Sequence, residues 1–268
     1  MRFRRLAVLP LLVAAAFLVG DWLLHEGPAH AVFLRTEIAL VKTLSLIGSL
    51  AAALRFEPGA YLRRAWLWSA SCMAMLLLAD LTRVPVRWEE LGIDIVLVRS
   101  ILTVLANAAQ VVGTWMLARA WRVAELSLPG PRWGQAGVAL AAVVVAAALA
   151  GPPLAANADD LLAGDPGALA GVASALGDAV ALCLIAPLLL TALALRGGLL
   201  GWPWSLLTTS YFAWLLFDAA FVIGSPLGFR SSTLDVFRTL GCMYGFSAGM
   251  AQRFVVDQLR HRRATPTT

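Results

Sequence analysis

Charge is scarce in this sequence of 268 residues, of which 14% are Asp, Glu, Lys or Arg and 60% are hydrophobic. Soluble domains average about 25% charged and about 45–50% apolar residues. With a mean hydropathy of +0.79, the chain is too apolar for an ordinary soluble domain. The net charge of +5 does not indicate a nucleic-acid binder, because the cations stand singly or in small groups at the ends of apolar runs.

The sequence also lacks motifs of several enzyme classes. It has no zinc-binding His-Glu-x-x-His and no phosphate-binding glycine loop. The residues before Asp218 are not the Gly-x-Gly-Asp of intramembrane aspartyl proteases, and the single lysine, Lys42, lies too early for the Schiff base of a retinal protein. We therefore assign no catalytic residue and expect neither a cofactor nor a metal.

Long apolar runs are abundant. A helix needs about 20 mainly apolar residues to cross about 30 Å of hydrocarbon. The runs are continuous in Ala, Leu and Val, which favours helices over a strand barrel. The sequence therefore predicts an all-α, polytopic membrane helix bundle, with residues 1–268 in a single integral membrane domain. The eight predicted spans are 6–24, 31–54, 65–82, 95–118, 133–150, 172–195, 204–224 and 234–254.

The positions of the cations predict the orientation of this bundle. With the N-terminus inside, 14 of the 21 cations and only three of the 16 acids lie at the inner ends of the spans. Because short cytoplasmic loops are rich in Lys and Arg, both termini are predicted to be cytoplasmic. Short loops and the Arg bias favour a bacterial inner membrane. Residues 151–171 are the longest predicted outer loop, and the short basic tail after the last span is expected to fray.

The first span has an alternative interpretation as a secretory signal. Its basic start and apolar run suit a signal peptide, and residues 29–31 offer small residues for cleavage. That site lies about ten residues beyond the apolar run, which favours a retained helix over a typical signal. Cleavage would leave seven spans with the new N-terminus outside.

Charged residues recur at similar positions in the two halves of the chain. An even number of helices per unit would give parallel repeats. The pattern indicates two tandem four-helix repeats, 1–122 and 132–260, with chance recurrence as the alternative because identity elsewhere is low. The recurring pairs, offset by 141, 138 and 139 residues, are Glu37 and Asp178, Asp80 and Asp218, and Arg99 and Arg238.

Seven of the charged residues inside the predicted spans are candidates for a site, and nearly all seven lie in the outer half of the membrane. Each costs about 2.5–3.5 kcal/mol on insertion scales unless it is paired or hydrated, so they are candidate ligand-binding residues. We expect two acids and an Arg to converge in one polar cluster per repeat. The structural alternative is salt bridging that fixes helix order, or snorkelling to the surface. The seven are Glu37, Lys42, Asp80, Arg99, Asp178, Asp218 and Arg238.

Polar residues on the fourth and seventh spans extend this candidate site. A stripe in the fourth span cannot face lipid, because unsatisfied amides in hydrocarbon are costly, so it faces other helices or water. In the seventh span, Tyr211 shares the face of Asp218 and Trp214 lies mid-span. The stripe residues are Arg99, Thr103, Asn107, Gln110 and Thr114, of which Asn107 and Gln110 join Tyr211 and Trp214 among the candidate ligand-binding residues.

Three other groups of residues have more ordinary interpretations. Small residues at four-residue spacing in the eighth span, Gly241, Gly245 and Gly249, allow close helix packing, either internally or against a protein partner. Near the end of the first span, Asp21, His25, Glu26 and His30 include metal-ligand types, but we interpret them as a solvated loop. The three cysteines lie within spans and are predicted to be small core residues rather than disulfide partners.

The sequence therefore predicts a membrane protein with a polar, charge-lined pocket in the outer half of the bilayer. It would bind or transport a small solute, a cation or a proton. One alternative is a non-catalytic sensor or scaffold subunit whose charges are structural and whose glycine face packs on a partner. A membrane-embedded enzyme is the second alternative.

Overall fold

The apolar runs fold into long helices in a computed structural model, which describes residues 2–24, 27–83, 94–125, 127, 129–165, 168–224 and 230–264. These residues include no strand, so the all-helical class is confirmed for them. The helices are α1 (Arg2–Leu24), α2 (Pro28–Ala53), α3 (Tyr61–Leu81), α4 (Ile95–Ala118), the short α5 (Ala120–Val123), α6 (Arg132–Leu162), α7 (Ala168–Ala194), α8 (Gly201–Gly224) and α9 (Ser231–Ala264).

Five of these helices, α1, α2, α4, α6 and α7, are long and apolar enough to cross a membrane by length and composition. The predicted count of eight spans is therefore not confirmed by this criterion within the described part of the chain. Large apolar side chains point outward from the bundle, as Leu12 on α1 and Trp133 on α6 do with 63% and 89% of their surface exposed. Such faces are compatible with contact to a lipid bilayer.

Local signals explain where several helices begin. Gly27 takes a φ of 137°, which a residue with a side chain rarely adopts, and Pro28 follows at the first helical position of α2, where its missing N–H costs nothing. Asp94 caps α4 by accepting hydrogen bonds from the backbone N–H groups of Val96 and Leu97.

The predicted outer loop at 151–171 is wrong. Helix α6 continues through Pro152 and Pro153 to Leu162, and α7 begins at Ala168. Proline has a helical φ, which is compatible with a continuous helix, although each of the two prolines removes a backbone hydrogen bond and crowds the preceding turn. The side-chain Nδ2 of Asn157 donates to the Pro153 carbonyl oxygen at 2.6 Å and supports this segment.

The predicted fraying of the C-terminal tail is also wrong for the residues up to Ala264, which continue α9. Arg260 donates through Nη2 to the carbonyl oxygen of Arg55 at 2.6 Å. Arg55 Nε lies 3.4 Å from Asp257 Oδ1. The basic end of α9 is thereby held against the end of α2.

Six helices form a closed ring. In order around the ring, α2, α3, α4, α7, α8 and α9 each pack against the next, and α9 returns to α2. Helix α1 packs outside the ring, mainly on α9, and α6 packs mainly on α7. At one end, buried Trp66, Leu117, Leu188 and Trp204 close the ring with an apolar core. The polar side chains described below lie toward the other end.

Candidate functional site

Charged side chains meet where α2 packs against its two neighbours in the ring. Lys42 Nζ donates to Asp80 Oδ2 at 2.5 Å and joins α2 to α3. Thr239 Oγ1 donates to Glu37 Oε1 at 2.7 Å and joins α9 to α2. Both Lys42 and Glu37 are buried.

Two residues of α9 complete this arrangement. Arg238 Nη2 lies 2.9 Å from Asp235 Oδ2, one turn earlier on the helix. Arg238 is also close enough to Glu37 to interact with its carboxylate, and its guanidinium lies 5.5 Å from the ring centroid of Phe217 on α8. Asp235 was not predicted as a site residue, although its position three residues before Arg238 was visible in the sequence. We call the following five residues the charged cluster: Glu37, Lys42, Asp80, Asp235 and Arg238.

The charged cluster is neither neutral nor fully hydrogen bonded. It contains three acids and two cations. Glu37 is only 9% exposed, and its Oε2 is buried without a hydrogen-bond partner in the described part of the chain. A buried carboxylate oxygen without a partner is costly, because it has lost its hydrogen bonds to water and makes none with the protein.

A small cavity of about 50 Å³ lies one helical turn beyond the cluster along α2 and α9. On one wall Tyr211 OH and Thr114 Oγ1 are 2.5 Å apart, and Ser210 donates to the Gly241 carbonyl oxygen at 2.7 Å. The cavity therefore combines hydroxyl groups with aromatic and apolar side chains. Its lining residues are Ser45, Ser49, Trp66, Ser69, Cys72, Met73, Gln110, Leu207, Ser210, Tyr211, Trp214, Gly241 and Gly245.

Some residues of the polar stripe of α4 face this cavity, and others form hydrogen bonds within α4. Gln110 lines the cavity and accepts a hydrogen bond from Cys72 Sγ at 3.6 Å, and Thr114 is fully buried. Asn107 donates instead to the Thr103 carbonyl oxygen at 2.9 Å and lies against Gly177 of α7.

Arg99 does not reach the charged cluster. Its Nε donates to Thr82 Oγ1 at 3.1 Å and joins α4 to the end of α3. The prediction that it would converge with two acids is wrong, because Asp80 of α3 pairs with Lys42 and α3 separates α4 from Glu37 on α2.

Of the predicted second cluster, Asp178 and Arg238 do not come together in the described part of the chain. Arg238 lies with Glu37 of the other proposed repeat, because ring closure sets α9 against α2. Asp178 lines a separate cavity of about 430 Å³ between α6, α7 and α8. Asp218 lies in α8, and its side chain is outside the part of the chain that the structure describes.

The glycine face of α9 packs inside the chain. A Cβ atom on Gly249 would lie 2.2 Å from the Gly48 carbonyl oxygen of α2, and one on Gly241 would lie 2.8 Å from the Trp214 ring of α8. The face is thus covered by α2 and α8, and the predicted protein partner cannot bind through Gly241, Gly245 and Gly249. The scaffold alternative loses the surface proposed for it.

The solvated loop predicted at the end of α1 is also wrong for its described residues. Asp21 is buried, and its Oδ1 lies 2.7 Å from His30 Nε2 of α2. Thr233 of α9 donates to Asp21 Oδ2 at 2.9 Å. Asp21 therefore joins three helices. His25 and Glu26 lie outside the described residues.

Residues 245–249 match the Gly-x-Ser-x-Gly pattern of a serine nucleophile, which sequence reasoning passed over. They lie in the middle of α9, whereas a nucleophile elbow stands at a sharp turn from a strand into a helix. Ser247 is fully buried, and its Oγ has no hydrogen-bond partner among the described residues. Since a serine nucleophile needs an adjacent base, the pattern does not support the enzyme alternative.

The three cysteines are free, as predicted, and Cys72 and Cys242 are buried.

Comparisons with protein-family models, curated proteins and solved structures find no match for this chain.

Proposed function

We propose that this protein binds and moves a proton or a small cation across a membrane, with Glu37 as the binding group. The proposal takes the bundle as eight spans in a bacterial inner membrane, with both termini cytoplasmic. Helices α3, α8 and α9 are members of the same ring as the apolar helices, and α9 packs between α1, α2 and α8. Their position in the bundle supports membrane spans that their composition alone does not establish.

The packing pattern also supports two tandem repeats, 1–122 and 132–260. If α2, α3 and α4 are exchanged with α7, α8 and α9, every contact between neighbouring helices of the ring has a counterpart. The contact of α2 with α9, for example, corresponds to the contact of α7 with α4. Two halves that share one structural plan would pack in this way. Helix α1 does not follow this pattern. It packs on α9, whereas its counterpart α6 makes no comparable contact with α4 among the described residues.

The observation that carries the proposal is the unmatched negative charge of the charged cluster. With three acids and two cations, the cluster has one excess negative charge. Among the described residues, the buried cluster atoms without a hydrogen-bond partner are Arg238 Nε, Arg238 Nη2 and Glu37 Oε2, and Oε2 is the acceptor among them. An isolated charge in low dielectric is costly, so the cluster gains stability from one more positive charge. A proton or a small cation at Glu37 would supply it.

The size of the adjacent cavity favours these ligands over organic solutes. A water molecule needs about 10–15 Å³ of such space, so about 50 Å³ accommodates a few waters or one ion. The hydroxyl groups of Ser45, Ser210 and Tyr211 are suitable donors and acceptors for a water chain or ligands for a cation. Beyond the cavity the apolar core closes the ring, as expected for an occluded state.

The test is flux across proteoliposomes that contain the purified chain and an internal pH dye. We expect the wild type to dissipate an imposed pH gradient, or to change internal pH under a sodium or potassium gradient. Glu37→Gln keeps the shape of the side chain and the acceptor for Thr239, but it cannot carry the charge. Flux with this variant should fall to the level of protein-free liposomes.

The matched control is Glu57→Gln, which removes an exposed acid from the turn after α2 and should leave flux unchanged. Elution volume and unfolding temperature in detergent report whether each variant is folded. Wild-type flux in folded Glu37→Gln would remove Glu37 from the mechanism. Wild-type protein that moves no ions under any of these gradients would reject transport altogether.

A further inference from the structure

The cavity at Asp178 is separate from the charged cluster and has a different chemistry. Its volume of about 430 Å³ lies within the range of about 300–1,000 Å³ that small-molecule sites occupy. It is bounded by α6 and α7, with Phe217 of α8 at one side. The central cavity is smaller by nearly an order of magnitude.

The polar groups in this cavity offer mainly acceptor atoms to a ligand. Asp178 presents a carboxylate, and Ser174 uses its hydroxyl hydrogen to bond to it. Asn157 uses Nδ2 to bond to the Pro153 carbonyl oxygen, which leaves its Oδ1, against Gly171, as an acceptor. The lining contains no Lys, Arg or His, and Asp178 has no cationic partner among the described residues.

The rest of the lining is apolar. Leu149, Pro153 and Leu182 face the same space as the carboxylate, and the aromatic side chain of Phe217 contributes to the wall. A ligand that suits these walls therefore has a hydrocarbon or aromatic body. A ligand that suits the acceptors has an N–H donor with a positive charge, since a charge-assisted bond to a carboxylate is the strongest pairing open to it. Anionic ligands would meet Asp178 without any compensating cation.

We infer that this cavity is a binding site for an organic ammonium ion whose charged head pairs with Asp178 and whose apolar body lies against Leu149, Leu182 and Phe217. The site does not rest on ion binding at Glu37, because it has its own carboxylate and shares no lining residue with the charged cluster. Phe217 lies between the two, with Arg238 against its ring and the cavity beside it.

Binding can be measured by fluorine NMR of para-fluorobenzylamine with the purified full chain in non-ionic detergent micelles. The neutral comparison ligand is para-fluorobenzyl alcohol, which has a similar size and partitions into the same micelles. We expect protein-dependent line broadening of the amine that unlabelled benzylamine reverses, and little broadening of the alcohol. Asp178→Asn should weaken amine binding by about tenfold or more, as expected for loss of a hydrogen bond to a charged group.

Two further variants separate binding from folding. Ala175→Met places a larger apolar side chain in the cavity while retaining Asp178, and it should also abolish amine broadening. Asp159→Asn removes an exposed acid of α6 and should leave amine binding unchanged. If Asp178→Asn fails to fold, Ala175→Met carries the test. Equal broadening by amine and alcohol in the wild type, or wild-type amine binding in either folded cavity variant, would overturn the assignment. A failure of ion flux in the Glu37 experiment would leave this result unaffected.

Discussion

Replacing Lys42 with methionine is expected to prevent the chain from reaching a stable folded state. Lys42→Met keeps the apolar stem of the side chain but leaves Asp80 without its ion pair. The charged cluster would then contain three acids and one cation. Lys42 is buried, and 23% of the Asp80 side chain is exposed. Removing one partner of a fully buried ion pair costs about 3–5 kcal/mol. We expect the lower end of that range here, which is still a large fraction of the stability of most domains. The measurement is the unfolding temperature in detergent, together with the yield of monodisperse protein.

The double variant Lys42→Met/Asp80→Asn distinguishes lost pairing from lost volume. It removes both charges, and replacing a buried ion pair with uncharged groups is often close to neutral. We therefore expect it to recover most of the stability that Lys42→Met loses. Arg35→Met, at an exposed position on the same helix, is the control and should change stability by no more than about 0.5 kcal/mol. A Lys42→Met variant as stable as Arg35→Met would show that the pair does not hold α2 to α3.

The second large effect is expected at Gly249. The Cβ atom of Gly249→Ala would lie 2.2 Å from the Gly48 carbonyl oxygen and 3.0 Å from the Ser49 nitrogen. Both are backbone atoms, which cannot rotate away, so α9 and α2 would have to separate. Overpacking costs about 1–3 kcal/mol and occasionally more. We expect the upper end of that range, measured as loss of unfolding temperature or of folded protein.

A graded series of alanine substitutions tests whether this effect arises from backbone contact. At Gly245 the new Cβ would lie 3.0 Å from Ser45 Oγ, a side-chain atom that can rotate, so Gly245→Ala should cost less. At Gly137 of α6 nothing lies within 4 Å. Gly137→Ala should be neutral or stabilising by up to about 1 kcal/mol, because alanine favours helix. The prediction fails if all three variants unfold at one temperature.

Helix positions could be predicted from the sequence because the length of an apolar run limits where a helix can lie. The predicted span 95–118 has the same bounds as α4, whereas the span ending at 150 stops twelve residues before the end of α6. Pro152 and Pro153 suggested a loop, although proline is compatible with helical φ and the following segment is rich in alanine. The residue at which a helix ends depends on small differences in local free energy, and composition does not resolve these differences.

The sequence indicates which residues are candidates for a site better than it indicates their partners. Glu37, Lys42, Asp80 and Arg238 stood out because charge is costly inside an apolar run. Their pairing depends on which helices are neighbours. The duplication pattern suggested that Arg238 belongs with Asp178, but α9 returns to α2 and brings Thr239 to Glu37 across 202 residues of sequence. No local pattern carries that information.

The contact between α2 and α9 also has a consequence for the order of assembly during synthesis. The bond from Thr239 to Glu37 joins residues 202 positions apart, so a ribosome must make α9 before the ring can close. Until α9 arrives, α2 exposes Glu37 and Gly48, which α9 covers in the folded bundle. The arrival of α9 is therefore the step that buries both residues.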